Sequence, residues 1–185
     1  MPDYRRNFVP GGTYFFTVVV HQRYPLFNLP ESRTCLRNSI ISVREDWPFE
    51  LFAICLLPDH FHAVMTLPSG DSDYPTRMRK IKERFTTPWG KNGGWEGTLS
   101  QSRRKKGERG VWQRRYWEHT VRDEDDLKRC VDYTHWIPRK HNLVARVRDY
   151  RFSSFHRFAG QGEYELDWGG TDPTPGWNSP DDWGE

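Results

Sequence analysis

Phe49–Leu67 reads FELFAICLLPDHFHAVMTL. Two runs rich in aromatic and branched aliphatic residues flank Pro58–Asp59, a pair that favours a tight connection. The stretch reads as a β-hairpin, with one strand over Phe49–Leu57 and the next over His60–Leu67. Residues i and i+2 of a strand project from one face, so His60 and His62 point one way while Phe61 points the other.

Working outward, TYFFTVVV at Thr13–Val20 follows Gly11–Gly12 and reads as a first strand. An amphipathic helix spans about Glu31 to Asp46, with Leu36, Ile40 and Val43 on one stripe and Pro48 just beyond its end. After the hairpin, a second helix runs from about Pro75 to Phe85. Met78, Ile81 and Phe85 face inward, and Arg77, Lys80 and Arg84 line the other side. Thr86–Gly110 is Gly-, Ser- and Lys/Arg-rich and reads as a mobile basic loop (about 86–110). Val111–Val121 reads as a fourth strand. The order β-α-β-β-α-β defines an α+β, ferredoxin-like split βαβ fold. Its antiparallel sheet is expected to carry helices on one face and leave the other open for a ligand.

A third helix begins at the N-cap Asp123, with Glu124, Asp125 and Asp126 in the first turn, where the helix dipole favours anions. Leu127, Cys130, Val131 and Thr134 form its inward stripe, and Pro138 is expected to end it. Lys140–Phe158 is expected to close over the core. Residues 1–168 thus read as one domain and 169–185 as an acidic, flexible tail, without internal repeats.

The 185 residues carry 28 Lys/Arg against 25 Asp/Glu, a net charge of +3, and 28 aromatics (9 Trp, 8 Tyr and 11 Phe) supply the buriable surface of a globular core. From Arg77 to Arg115 there are 13 basic residues and three acids, while the stretch from Thr171 to the end has four acids and no Lys or Arg. A basic middle with interleaved aromatics suits a phosphate-bearing, unstacked nucleic acid, or else forms a solvated face. Trp112, Tyr116, Trp117 and Trp136 are candidates for base stacking, Trp136 most of all because it lies opposite the helical stripe. The strands lack the Gly-interleaved aromatic run of the common RNA-binding sheet. No apolar run approaches the ~18 residues that cross a bilayer. Three cysteines without a CxxC pair argue against a disulfide or Cys-rich zinc scaffold and fit a reducing cytoplasm.

Paired imidazoles on one strand face suit a divalent metal, although exposed strand histidines are the plainer reading of the pair alone. Tyr133, at the flank of the third helix's stripe, is a candidate nucleophile whose phenol requires a polarised target; a tyrosine packed at a helix edge is the plainer alternative. Several segments together decide between these readings. TyrArgArg at 4–6, GlyGlyThrTyrPhePheThr at 11–17, LeuProAspHisPheHis at 57–62, ValTrpGlnArgArgTyrTrpGluHis at 111–119 and ValAspTyr at 131–133 resemble the REP-associated tyrosine transposases. These are bacterial relatives of the single-tyrosine insertion-sequence transposases in the HUH nuclease superfamily. The resemblance runs in unbroken order over about residues 4–168.

The resemblance implies that His60 and His62 bind Mg²⁺ or Mn²⁺ and that Tyr133 attacks a single-stranded DNA phosphodiester to form a 5′-phosphotyrosine. Tyr4, Arg5 and Arg6 match the segment that reads bases beside a palindromic hairpin. Arg77, Lys80, Arg84, Arg103, Arg104, Lys105, Lys106, Arg114 and Arg115 would hold hairpin phosphates. A cytoplasmic, nucleoid-associated monomer or homodimer is implied. The chain departs from the family in one place: Ile137 stands where a polar residue, often Asn, completes the metal site. Water or a nearby side chain (Asp59, His119, Asp132 or His135) takes over, or the metal binds weakly and the chain is a hairpin-binding protein that cleaves poorly. The acidic tail with Trp177 and Trp183 is either a disordered appendage or a mimic of DNA in the basic cleft.

Overall fold

The computed structural model describes residues 6–170. Its strands are β1 (Thr13–Val19), β2 (Glu50–Leu56), β3 (His60–Thr66) and β4 (Trp117–Thr120). Its helices are α1 (Pro30–Asp46), α2 (Tyr74–Lys91), α3 (Gln101–Lys105), α4 (Glu124–Lys140) and α5 (Phe155–Gly160). The sheet order is β2-β3-β1-β4, with every neighbouring pair antiparallel. This is the α+β arrangement expected, with β1 and β3 at the centre.

Strand alternation separates two cores. Tyr14, Phe16 and Val18 of β1 and Phe61, Ala63 and Met65 of β3 pack against Leu36, Ile40 and Val43 of α1 and Met78, Ile81 and Phe85 of α2. Phe15 of β1, Ala53 and Cys55 of β2 and Val64 of β3 pack instead against Cys130, Val131, Tyr133 and Ile137 of α4 and Phe158 of α5. The second face is therefore covered by helices, not open as expected. The reason lies in β1: six of its seven residues are buried, and a strand apolar at successive positions is apolar on both faces.

Two helices run further than the sequence suggests. α2 continues past Phe85 through Pro88 to Lys91, and α4 continues past Pro138 to Lys140. An internal proline costs roughly 3 kcal/mol. In α4, burial of Trp136, Ile137 and Pro138 itself offsets that cost. His141 caps α4 with its N–H on the Ile137 carbonyl, and Asn142, at φ 54, turns the chain away in the left-handed region. At the other end, Asp123 accepts from the Asp126 N–H at 2.8 Å, as expected of an N-cap.

The fourth strand is shorter than Val111–Val121, because residues before Trp117 swing to the end of β1, where Trp112 bridges Val20. Between Asn92 and Gly110, Trp95 stacks on Tyr24 at 3.9 Å, Arg109 pairs with Glu96, and the Gly97 N–H reaches the Gly110 carbonyl at 2.8 Å. Residues 152–154 cover the exposed edge of β2 through Leu56 N–H to the Phe152 carbonyl and Ser154 N–H to the Ile54 carbonyl. Residues 171–185, which hold nearly all of the acidic tail, lie outside the described residues, as do Tyr4 and Arg5. Among the described residues, no helix is long and apolar enough to cross a membrane.

Candidate active site

The two imidazoles sit in the central strands. His62 lies opposite Thr17 in the register, and His60 opposite Val19. His62 Nδ1 is hydrogen-bonded to Thr17 Oγ1 at 3.0 Å, and its ring stacks on Phe15 at 5.4 Å. His60 is buried, with Nδ1 2.6 Å from Asp59 Oδ1. A carboxylate only accepts, so His60 carries its proton on Nδ1, and Nε2 keeps the lone pair. That Nε2 is buried and has no hydrogen-bond partner. Burial raises the Asp59 carboxyl, but the His60 hydrogen bond and the Arg23 guanidinium at 3.2 Å outweigh it and hold the group below the ordinary carboxylate range. Asp59 therefore supports His60 as an anion behind it.

The rings of His60 and His62 lie 5.0 Å apart at 89°. Tyr133 approaches from α4: its ring is 5.6 Å from His62 and 5.9 Å from Phe15, and its hydroxyl accepts a hydrogen bond from Lys140 Nζ at 3.1 Å. A phenol, two imidazoles and an ammonium thus converge on the α4 face of the sheet. Ile137 is fully buried in the core beside Tyr133 and offers no donor atom.

The other candidate ligands lie elsewhere, Asp59 apart. His135 points away from β3, with Nε2 2.8 Å from Ser154 Oγ and its ring among Phe155, Phe158 and Tyr164. Asp132 accepts from Lys128 and from the Tyr164 hydroxyl. His119 stacks on Trp117 and meets Asp126 at 2.8 Å. His119, Asp126 and Cys130 present ligand-type atoms within 4.8 Å of one another. Their chemistry is that of an ion-pair cluster: Arg122 and Arg129 also hold Asp126. Burial raises the Asp126 carboxyl, but the Arg122 and His119 contacts hold it far below its ordinary value, and burial pushes the Cys130 thiol up to about 12. A metal there would have to displace two guanidiniums and deprotonate that thiol.

One further side chain at the site is not foreseeable from the sequence pattern. The His141 ring lies 5.3 Å from that of His60, at 70°. It is out of reach if Pro138 ends the helix, and it arrives only because α4 runs on to Lys140 with His141 as its C-cap.

Among the basic residues, Arg77 departs from its expected exposed place. It is buried, and it donates to the Pro48 carbonyl twice, to the Asp73 carbonyl and to Asp71. Arg84 ties α2 to Ser42 and Asp46 of α1, and Lys80 pairs with Glu83 over the Trp47 ring. Arg103 pairs with Glu108 at 2.7 Å, and Arg104 donates to the Leu99 carbonyl. Lys105, Lys106, Arg114 and Arg115 are exposed. Arg6 lies 3.4 Å from Glu118, over Tyr116, which seats the N-terminal segment on the α1–α2 side of β4. Trp112 and Trp136 are buried, packed on Phe27, Phe61 and Phe85 and on Val147 and Phe155 respectively, so neither is a stacking platform.

The fold, with two strand imidazoles facing a helical tyrosine, is that of a single-tyrosine transposase. Residues 9–135 match the family model described as Transposase IS200 like, and the chain belongs to that family. A REP-associated tyrosine transposase of Escherichia coli is 40% identical over 171 residues, which cover 92% of each chain. A relative from Haemophilus influenzae, assigned to the same REP-associated tyrosine transposases, is 41% identical over 170 residues, covering 92% of this chain and 94% of that one. The solved structure of a REP-associated tyrosine transposase bound to a REP hairpin superposes with a TM-score of 0.74 at 38% identity, covering 97% of this chain and 99% of that chain.

Proposed function

We propose that this chain cuts and rejoins single-stranded DNA beside REP-type palindromic hairpins through a 5′-phosphotyrosine on Tyr133. The observation that carries the reading is the placement of the Tyr133 hydroxyl and the His60–His62 pair on one face of the central strands. Tyr133 Oη gives its proton to solvent and attacks phosphorus as the bond to the 3′ oxygen breaks, and that oxygen takes up a proton from solvent to leave as a 3′-OH. Attack of a 3′-OH on the phosphotyrosine reverses the step and rejoins strands without a further energy source. Lys140 holds the phenol oxygen and offsets the negative charge that develops as its proton leaves.

His60 and His62 would hold Mg²⁺ or Mn²⁺. The bare, buried Nε2 of His60 with Asp59 behind it is the arrangement that suits such an ion. The ion, when bound, polarises the scissile phosphate and offsets charge on the leaving oxygen. The relatives' names and the hairpin in the similar solved structure support hairpin DNA as the substrate. Residues 1–168 would form the transposase unit, and 4–6 and the exposed cations of 103–115 its DNA contacts. It would act on the nucleoid as a monomer or homodimer, with 169–185 as an acidic appendage.

The test incubates single-stranded oligonucleotides carrying the palindromes that flank the gene with wild-type and Tyr133→Phe protein, in Mn²⁺, Mg²⁺ or chelator. A covalent adduct on a denaturing gel that needs both metal and Tyr133 is expected. Tight hairpin binding with no adduct in any metal would refute cleavage and leave a hairpin-binding protein.

A further inference from the structure

The structure assigns His141 as the third metal ligand, in the place that Ile137 cannot fill. This inference rests on the metal-site reading of His60 and His62 above. Three observations carry it. Ile137 is fully buried against Phe15 and Val64 and points no heteroatom anywhere. α4 continues through Pro138, so its end lies over β3. The His141 ring then sits 5.3 Å from His60, close to the 5.0 Å that separates His62 from His60.

These separations suit a shared ion. An imidazole bound through nitrogen at about 2.1 Å has its centroid about 3.3 Å from the metal. Two such rings at neighbouring positions of an octahedron or tetrahedron have centroids about 4.6–5.4 Å apart. The nitrogens of the three rings do not yet converge within 4.8 Å. His141 is the exposed member, at the C-cap of α4, and a shared ion requires its ring to turn towards His60 and His62, which Asp59 and Thr17 hold.

A third imidazole also changes which ion the site favours. Mg²⁺ prefers oxygen ligands and water, whereas nitrogen donors favour transition ions. A site with three imidazoles favours Mn²⁺ over Mg²⁺ more strongly than a site completed by an amide oxygen.

The experiment titrates Mn²⁺ into chelator-treated full-length protein and reads free Mn²⁺ by electron paramagnetic resonance. It also counts nitrogens coupled to bound Mn²⁺ by electron spin echo. Wild type, His141→Ala, His141→Gln, His60→Ala and the remote His156→Ala are compared. Expected are three coupled nitrogens in wild type, two in both His141 variants, and Mn²⁺ affinity at least about 10-fold weaker in His141→Ala. His156→Ala should match wild type. Loss of affinity in His60→Ala with wild-type affinity and three nitrogens in His141→Ala would overturn the role of His141 and leave the His60–His62 site standing. No saturable Mn²⁺ binding by wild type would overturn both. His141 is exposed, so its variants are expected to fold, and circular dichroism checks this.

Discussion

His135 couples folding to pH, and the size of the coupling follows from its surroundings. The ring is fully buried on the side of α4 that faces Phe155, Phe158 and Tyr164, and its Nδ1 has no hydrogen-bond partner. A second proton would put an unsatisfied N–H and a charge into an aromatic cage that also feels Arg157. Burial first, and Arg157 second, lower its pKa from 6.5 to about 3. The unfolded chain takes up a proton near pH 6.5 and the folded chain does not, so stability falls as pH drops below 6.5. Between pH 7.5 and pH 5 the loss is about 2 kcal/mol, because one proton difference is worth about 1.4 kcal/mol per pH unit once the unfolded imidazole is charged. Urea unfolding of wild type and His135→Gln at pH 7.5, 6.5, 5.8 and 5.0, all in chelator, isolates the effect. The other six histidines cancel in the difference. His135→Gln is expected to start lower and lose about 2 kcal/mol less over that range. Parallel pH dependences would refute the reasoning and show that His135 accepts a proton without disturbing its cage.

Two further outcomes concern the basic segment. Arg77→Met is expected to cost about 2–4 kcal/mol, since it removes four donated hydrogen bonds and leaves the Pro48 carbonyl bare; thermal unfolding should drop by about 5–15 °C while the folded protein keeps its hairpin affinity, and an unchanged melting temperature with weakened affinity would make it a phosphate ligand. Replacing Lys105, Lys106, Arg114 and Arg115 with Ala is expected to weaken hairpin binding and flatten its dependence on log salt by roughly 0.9 for each phosphate left without its cation, measured by fluorescence anisotropy between about 50 and 300 mM salt; an unchanged slope would place the phosphates elsewhere.

Much of the fold is legible because alternation in strands is local. FHAVM places Phe61, Ala63 and Met65 in one core and His62 and Val64 in the other without any tertiary information. The Asp123 cap is likewise a local event. What escapes the sequence is decided by energies spread over the fold. Pro138 looks like a helix end and Phe85 like the last residue of α2, but burial of Trp136 and Ile137 in α4 and of Trp89 in α2 carries both helices further. Arg77 follows the helical period of Lys80 and Arg84, yet the Pro48 carbonyl in the α1–β2 connection draws it inward. His135 lies near Tyr133 in sequence, but a helix turns about 100° per residue, so a neighbour two positions away points to another face, while His119 sits on β4 and is drawn to Asp126. His141 escapes the sequence for the same reason as Pro138: its place depends on the helix continuing past a residue that usually ends one.

Ile137 shows how the two cores and the chemistry constrain one another. The sheet face that carries His60 and His62 is also the floor on which α4 packs, so the distance from Tyr133 to the imidazoles is set by side chains between helix and sheet. Phe15, Val64 and Ile137 are those side chains, all fully buried. A polar residue at 137 would supply a ligand but remove an aliphatic group worth about 2–3 kcal/mol of burial from that floor. Isoleucine does the reverse: it fastens the helix close to β3 and, on the proposed metal site, leaves a ligand to come from the end of the helix. That end reaches the site only through the continuation of α4 past Pro138 to Lys140, which the burial of Ile137 and Trp136 helps to hold. The packing that excludes a donor at 137 is thus the packing that brings His141 and Lys140 to His60 and Tyr133.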